Sequence, residues 1–346
     1  MESESKFSSL KLRARRFFSN RTNVLLTAGL AVVVLVLIVG LVMVLGRKNQ
    51  GPITDVNLQF DASGAYGLLA PRRDGNAINL DITRVADYDA ISYELAYQSL
   101  NPDAQAGGDE GDISPTIERG VTGDIKIDSK KNEYTQEILF GTCSRGNTMD
   151  PLHCVFDRGV ENGTLTLHLL RGNTRYNMVT TWHLQQPDQA LGVLTSGDSH
   201  FKYVVDGASA SNSAQLATPS PAPVKTTVKS AKPVATPLPL ISEDLRQKLS
   251  LVGYTLINDL SGVPKLPNGK DVTGKVYALN VPDGRDFMSG TVTIEQASNP
   301  PAGAKIGYYK TDGDSWQLLD TQIDGSKLTA KAPGAGIFAV LVDTSK

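Results

Sequence analysis

Apolar and polar residues alternate along much of this chain with a period of two. In NAINLDITR, Ile78, Leu80 and Ile82 share one face, and in AISYELAYQ, Ile91, Tyr93, Leu95 and Tyr97 do the same. Successive side chains of a strand point to opposite faces, so this pattern predicts half-buried β-strands. It continues through VTGDIKI (121–127), EYTQEILFGT (133–142), TLTLHLL (164–170), YNMVTTWHL (176–184), LGVLTS (191–196) and HFKYVV (200–205). Arg171-Gly172-Asn173-Thr174 and Gly197-Asp198 between such runs predict hairpin turns.

A second set of strands is expected nearer the C-terminus: KVYALNV (275–281), TVTIEQ (291–296), KIGYYKT (305–311), SWQLLD (315–320), KLTAK (327–331) and IFAVLV (337–342). Asp-Gly, Pro-Asp-Gly and Pro-Gly-Ala-Gly separate them, which are turn sequences. Helical periodicity is confined to SEDLRQKL, where Ser242 is placed to cap a short helix with Leu245 and Leu249 on one side. The expectation is therefore an all-β protein.

One segment breaks the pattern. Residues 24–46, VLLTAGLAVVVLVLIVGLVMVLG, contain no charge. A helix of that length spans roughly 34 Å, enough for a hydrocarbon core of about 30 Å. A single transmembrane helix is thus expected, with the lipid bilayer as its partner. The preceding tail, residues 1–23, carries six Lys/Arg against two Glu, a net of +4. Positive charge beside a span stays cytoplasmic, which puts the N-terminus inside and residues 47–346 in the extracytoplasmic space. A cleaved signal peptide is the alternative, but the run is long for one and leaves through Leu45-Gly46-Arg47-Lys48 without a small-residue box.

Setting aside the tail, Arg47 and Lys48 leaves 26 Lys/Arg against 34 Asp/Glu, about −8. An acidic exterior offers no basic patch for phosphates, which argues against nucleic acid.

Residues 207–240, GASASNSAQLATPSPAPVKTTVKSAKPVATPLPL, hold six prolines, no aromatic and only Lys as charge. A disordered Pro/Ala/Thr-rich linker is expected there. It divides the exterior into a proximal β-sandwich at 51–206 and a distal, immunoglobulin-like β-sandwich at 241–346, each large enough for its own core.

The stretch YYKTDGDSWQLLDTQIDGSKLTAKAPGAGIFAVLV resembles the C-terminal half of sandwich modules in multidomain bacterial surface proteins. FGTCSRGNTMDPLHCVFDRGV is similar to segments of uncharacterised membrane-anchored proteins of small-genome bacteria. These resemblances are built of strand and turn sequences without a catalytic motif. They imply an extracytoplasmic location and a binding or structural role, and no site residues.

Candidate chemistry is sparse. Cys143 and Cys154, the two cysteines, flank a polar loop, and an oxidising exterior favours a disulfide between them. Free thiols are the alternative in a reducing compartment, and a metal site with His153 lacks the usual ligand spacing. His168 and His183 fall on opposing strands of one hairpin, as sheet-surface residues. No nucleophile elbow, phosphate loop or EF-hand order occurs, and no cofactor is expected. The acidic loops Asp109-Glu110-Gly111-Asp112 and Asp312-Gly313-Asp314 read first as solvated turns, with calcium as the alternative. Tyr308, Tyr309 and Trp316 are candidate binding aromatics: alternation sends the tyrosines to opposite faces, leaving one exposed beside Trp316 for a sugar ring or a partner protein. Trp316 as a core residue is the competing expectation, and Trp182 is read the same way.

The expected function is that of an anchored extracytoplasmic protein displaying β-sandwich modules for adhesion, ligand binding or envelope assembly, with no enzymatic activity. The alternative is an anchored enzyme acting on cell-wall polymer or glycan through carboxylates that the fold brings together.

Overall fold

The computed structural model describes residues 52–102, 114–128, 131–144, 153–208 and 241–344. The 24–46 run, the basic tail, the Asp109–Asp112 loop and residues 209–240 lie outside these. Among the described residues no helix is long and apolar enough to cross a membrane.

Twelve strands precede residue 209: β1 (Thr54–Asn57), β2 (Tyr66–Pro71), β3 (Ala77–Thr83), β4 (Ala90–Leu100), β5 (Thr116–Ile125), β6 (Glu133–Leu139), β7 (Gly141–Ser144), β8 (His153–Phe156), β9 (Asn162–Arg171), β10 (Thr174–Gln185), β11 (Val193–Thr195) and β12 (Phe201–Val205). Helix α1 (Glu243–Val252) follows, then β13 (Thr255–Leu260), β14 (Lys270–Asn280), β15 (Gly290–Glu295), β16 (Lys305–Tyr309), β17 (Trp316–Leu318), β18 (Thr321–Asp324), β19 (Lys327–Ala332) and β20 (Gly336–Asp343). Every alternating run noted above contains or overlaps a strand. Ser242 caps α1 by accepting a hydrogen bond from the Leu245 backbone, and Leu245 and Leu249 are the buried residues of the helix.

The strands form one long sheet in the order β17-β16-β20-β14-β13-β10-β9-β4-β5, with β1 added in parallel on β10. A five-stranded sheet runs β11-β12-β15-β19-β18, a three-stranded sheet β2-β3-β6, and β7 pairs with β8. The long sheet alternates its side chains between cores. Tyr277 and Leu279 of β14 join Phe201, Tyr203, Val292, Leu328 and α1 in one cluster. The neighbouring Val276 and Ala278 lie in another, with Leu260 and Ile337. At the other end, Trp182, Leu165 and Leu95 pack with Leu69, Leu80 and Ile82 of the three-stranded sheet.

The described residues on the two sides of 209–240 do not separate into two compact units. Residues Thr54–Lys346 make one compact unit. β10 pairs with β13, Trp182 opposite Asn258, and β12 pairs with β15, Phe201 opposite Ile294. The reason is burial. The β11–β12 hairpin presents Leu194, Phe201, Tyr203 and Val205, all at or near zero exposure, and their apolar partners come from the C-terminal strands. Burying a side chain of this kind is worth about 1.5–3 kcal/mol each, which fixes the hairpin in the C-terminal core. Ala208 packs on that core and Ile241 belongs to it, so the described residues on either side of 209–240 share one core. Gly207 and Ala208, counted with the linker from the sequence, belong to the folded part, and the rest of the expected linker lies outside the described residues.

Candidate functional site

The expected aromatic platform is only partly present. Tyr308 is buried, with its hydroxyl donating to the Ala335 carbonyl at 2.9 Å and its ring 5.3 Å from Phe338. It is a core residue. Tyr309 takes the opposite face and lies 5.5 Å, centroid to centroid, from Trp316. Both are half-buried against the cluster of Leu260, Val276 and Ile337. Neither tyrosine is exposed, because both faces of the long sheet are covered here. Trp182 is fully buried, stacked 5.5 Å from Phe140.

Cys143 and Cys154 are bridged, facing each other across the β7–β8 ladder. Asp312-Gly313-Asp314 is a hairpin turn: Gly313 donates to the Lys310 carbonyl, and the Lys310 ammonium sits between Asp286 at 3.0 Å and Asp312 at 3.4 Å. His168 and His183 do not meet. The register sets His168 opposite Asn177 and His183 opposite Asn162, and each imidazole Nδ1 bonds that asparagine. His168 Nε2 also lies 3.3 Å from Glu94. Burial pushes His183 down to about 4, so it is neutral at physiological pH.

A dense polar constellation lies where the β11–β12 hairpin meets the long sheet. Asp198, in the turn between the two strands, accepts from Ser196 Oγ at 2.5 Å, from the His200 backbone N–H at 3.1 Å, from Lys275 Nζ at 2.9 Å and from Tyr277 Oη at 3.0 Å. Lys275 reaches a second carboxylate, Asp259 of β13, at 3.6 Å, and Asp259 accepts from the Thr181 backbone N–H at 2.5 Å. A break in the β14–β20 register, with Gly274 at φ 75°, aims Lys275 at this point.

Electrostatics separates the two acids. Burial would raise Asp198, but its hydrogen bonds and the Lys275 charge hold it down at about 2. Burial dominates at Asp259 and raises it, against Thr181 and Lys275. Burial and the Asp198 charge raise the Tyr277 phenol, which stays protonated as a donor. Beside the cluster is a small cavity of about 150 Å³ lined by His200, Lys275, Tyr277, Ile294, Glu295 and Gln296. Asp198 and Asp259 do not line it. Lys275 satisfies both carboxylates, so the arrangement is a tie between the hairpin and the long sheet.

Gly197-Asp198 reads as a turn in the sequence, and nothing local marks Lys275 or Asp259. Their signal was invisible because it needs β13, which joins them in space. Among the described residues no group of three or more His, Cys, Asp or Glu is placed to hold a metal ion. Comparison with protein-family models, curated proteins and solved structures finds nothing that matches this chain.

Proposed function

We propose that the chain is a single-pass, membrane-anchored extracytoplasmic protein whose β-rich body serves binding or envelope assembly, with a surface protein or glycan as its ligand. The observation that carries this is the 23-residue uncharged run at 24–46 behind a basic tail, with nearly all acidic charge beyond it. The bridge between Cys143 and Cys154 supports an oxidising surrounding. Packing of the β2-β3-β6 and β11-β12-β15-β19-β18 sheets against the long sheet supports a sandwich-like reading of each half. The immunoglobulin-like module remains the nearest analogy for the C-terminal half, with the β11–β12 hairpin included. Because Thr54–Lys346 is one compact unit, the proposed role belongs to the whole body rather than to a separate distal module.

Protease added to intact cells tests this: the body should be digested while the tail is protected. Protection of the body with an accessible tail overturns it.

The anchored-enzyme reading has Asp198 and Asp259 as its carboxylate pair, pushed apart in proton affinity as acid–base pairs are. Their shared Lys275 and their absence from the cavity lining make it second. Hydrolysis of cell-wall polymer by the purified chain, lost in Asp259→Asn, would reverse that preference.

A further inference from the structure

The long sheet ends on β5, and this edge differs from the others. β5 pairs with β4 through ten consecutive residues, Leu100 opposite Thr116 to Ile91 opposite Ile125, without a bulge. Among the described residues no strand pairs with its outer side. The other outer strands are shorter: β17 and β11 have three residues and β18 four. β6 has seven, and β2 ends in Pro71, with two of its carbonyls taken by the side-chain amides of Asn258 and Asn280. Proteins blunt long edges with charged side chains, prolines, bulges or covering segments, because an open edge offers its backbone N–H and C=O groups to another strand. β5 carries Glu118, Arg119 and Asp124 but contains no proline and keeps its register throughout.

Gly120, at the middle of β5, adds an independent observation. A Cβ there would meet nothing nearer than the Leu95 carbonyl at 3.9 Å, and its φ is not in the left-handed region. Neither internal packing nor backbone conformation calls for glycine. A strand glycine without such a reason fits a place where another backbone comes close.

We propose that β5 pairs antiparallel with β5 of a second copy of this chain, about a two-fold axis at Gly120, continuing the long sheet across a dimer. Two centrings keep the faces aligned and use nine of the ten residues. Centring on Val121 sets Glu118 against the partner's Asp124, a like-charge pair. Centring on Gly120 sets Glu118 opposite the partner's Thr122, Thr116 opposite the partner's Asp124, and glycine opposite glycine. Opposed like charges destabilise a ladder, so the second register is selected. An interface built from one strand meeting itself is isologous and closes as a dimer.

The test uses the full chain in detergent, where it is independent of membrane topology. The natural cysteines are bridged and leave no other free thiol among the described residues. Gly120→Cys brings two thiols to positions whose Cβ atoms are roughly 5 Å apart across the axis. Thr116→Cys puts them about 27 Å apart at ~3.4 Å per residue. Mild oxidation should give a covalent dimer at least about tenfold more abundantly for Gly120→Cys than for Thr116→Cys, a contrast expected from the register. Light scattering of the unmodified protein should give twice the chain mass, and Thr122→Pro, on the same edge, should reduce it towards one. A monomeric mass for the unmodified protein, or equal cross-linking at both positions, overturns the proposal.

Discussion

Phe201 and Ile294 lie directly opposite each other in the β12–β15 pair, which makes strands on either side of residues 209–240 hydrogen-bonded neighbours. The consequence is that the C-terminal hundred residues lack part of their own core. Phe201 and Tyr203 are fully buried against Phe338, at 5.4 and 6.2 Å between ring centroids. A fragment of residues 241–346 is expected to be unfolded by circular dichroism. Co-expressed with residues 1–220, a fragment of residues 221–346 should copurify as a folded complex. A cooperatively folding 241–346 fragment would show that the β11–β12 hairpin is dispensable.

Gly163 in β9 is a tighter constraint than its neighbours suggest. It pairs with Trp182 in the ladder, and an added Cβ would come within 2.3 Å of the indole and 2.4 Å of the Ala96 carbonyl. The carbonyl is backbone of β4, so relief requires moving a strand. Gly163→Ala should destabilise the protein by about 1–3 kcal/mol, as overpacking does. The shift of its urea midpoint measures this, and an unchanged midpoint would mean that the strands give way freely.

The strands legible from sequence are those with one face buried and one wet. β4 reads cleanly because Ile91, Tyr93, Leu95 and Tyr97 are buried while Glu94, Ala96 and Gln98 are exposed. β13 does not, because Thr255, Leu256, Ile257 and Asn258 are all buried and no alternation survives. That one strand connects β10 to β14, so without it the sequence reads as two modules rather than one continuous sheet. β18 is illegible for the opposite reason: three of its four residues are exposed. The bridge is legible because Cys143 and Cys154 are the two cysteines of the chain and flank one short loop. The Asp198–Lys275–Asp259 tie needed tertiary pairing, and no local pattern marks it.

Asn258 and Asn280 are buried polar residues with a defined task. Asn280 donates to the Leu69 carbonyl at 2.8 Å and to Asn258 Oδ1 at 3.3 Å, and Asn258 donates to the Gly67 carbonyl at 3.4 Å. They fasten the carbonyls of β2 to the long sheet. Asn280→Ala leaves one carbonyl and one amide oxygen without a donor, at a cost of about 1–3 kcal/mol. Hydrogen exchange should rise first at β2, and a loss spread evenly over the body would speak against this link.

Two acid-side transitions should separate in a pH titration of stability. His183 is held near 4 against an ordinary 6.5, so the unfolded chain takes up its proton first as pH falls. Its contribution is therefore full above 6.5 and is lost between 6.5 and 4. Asp198 is held near 2 against 3.8, so its contribution is full above 3.8 and disappears as pH falls through 2. The latter amounts to about 2 kcal/mol. Asp259, raised by burial, acts oppositely and makes the folded state gain slightly as pH drops just above 3.8. Urea midpoints measured from pH 7 to 2 should thus fall in two steps. His183→Gln should remove the upper step and leave the lower, while Asp198→Asn should do the reverse. A single step that neither substitution alters would place the acid sensitivity elsewhere in the body.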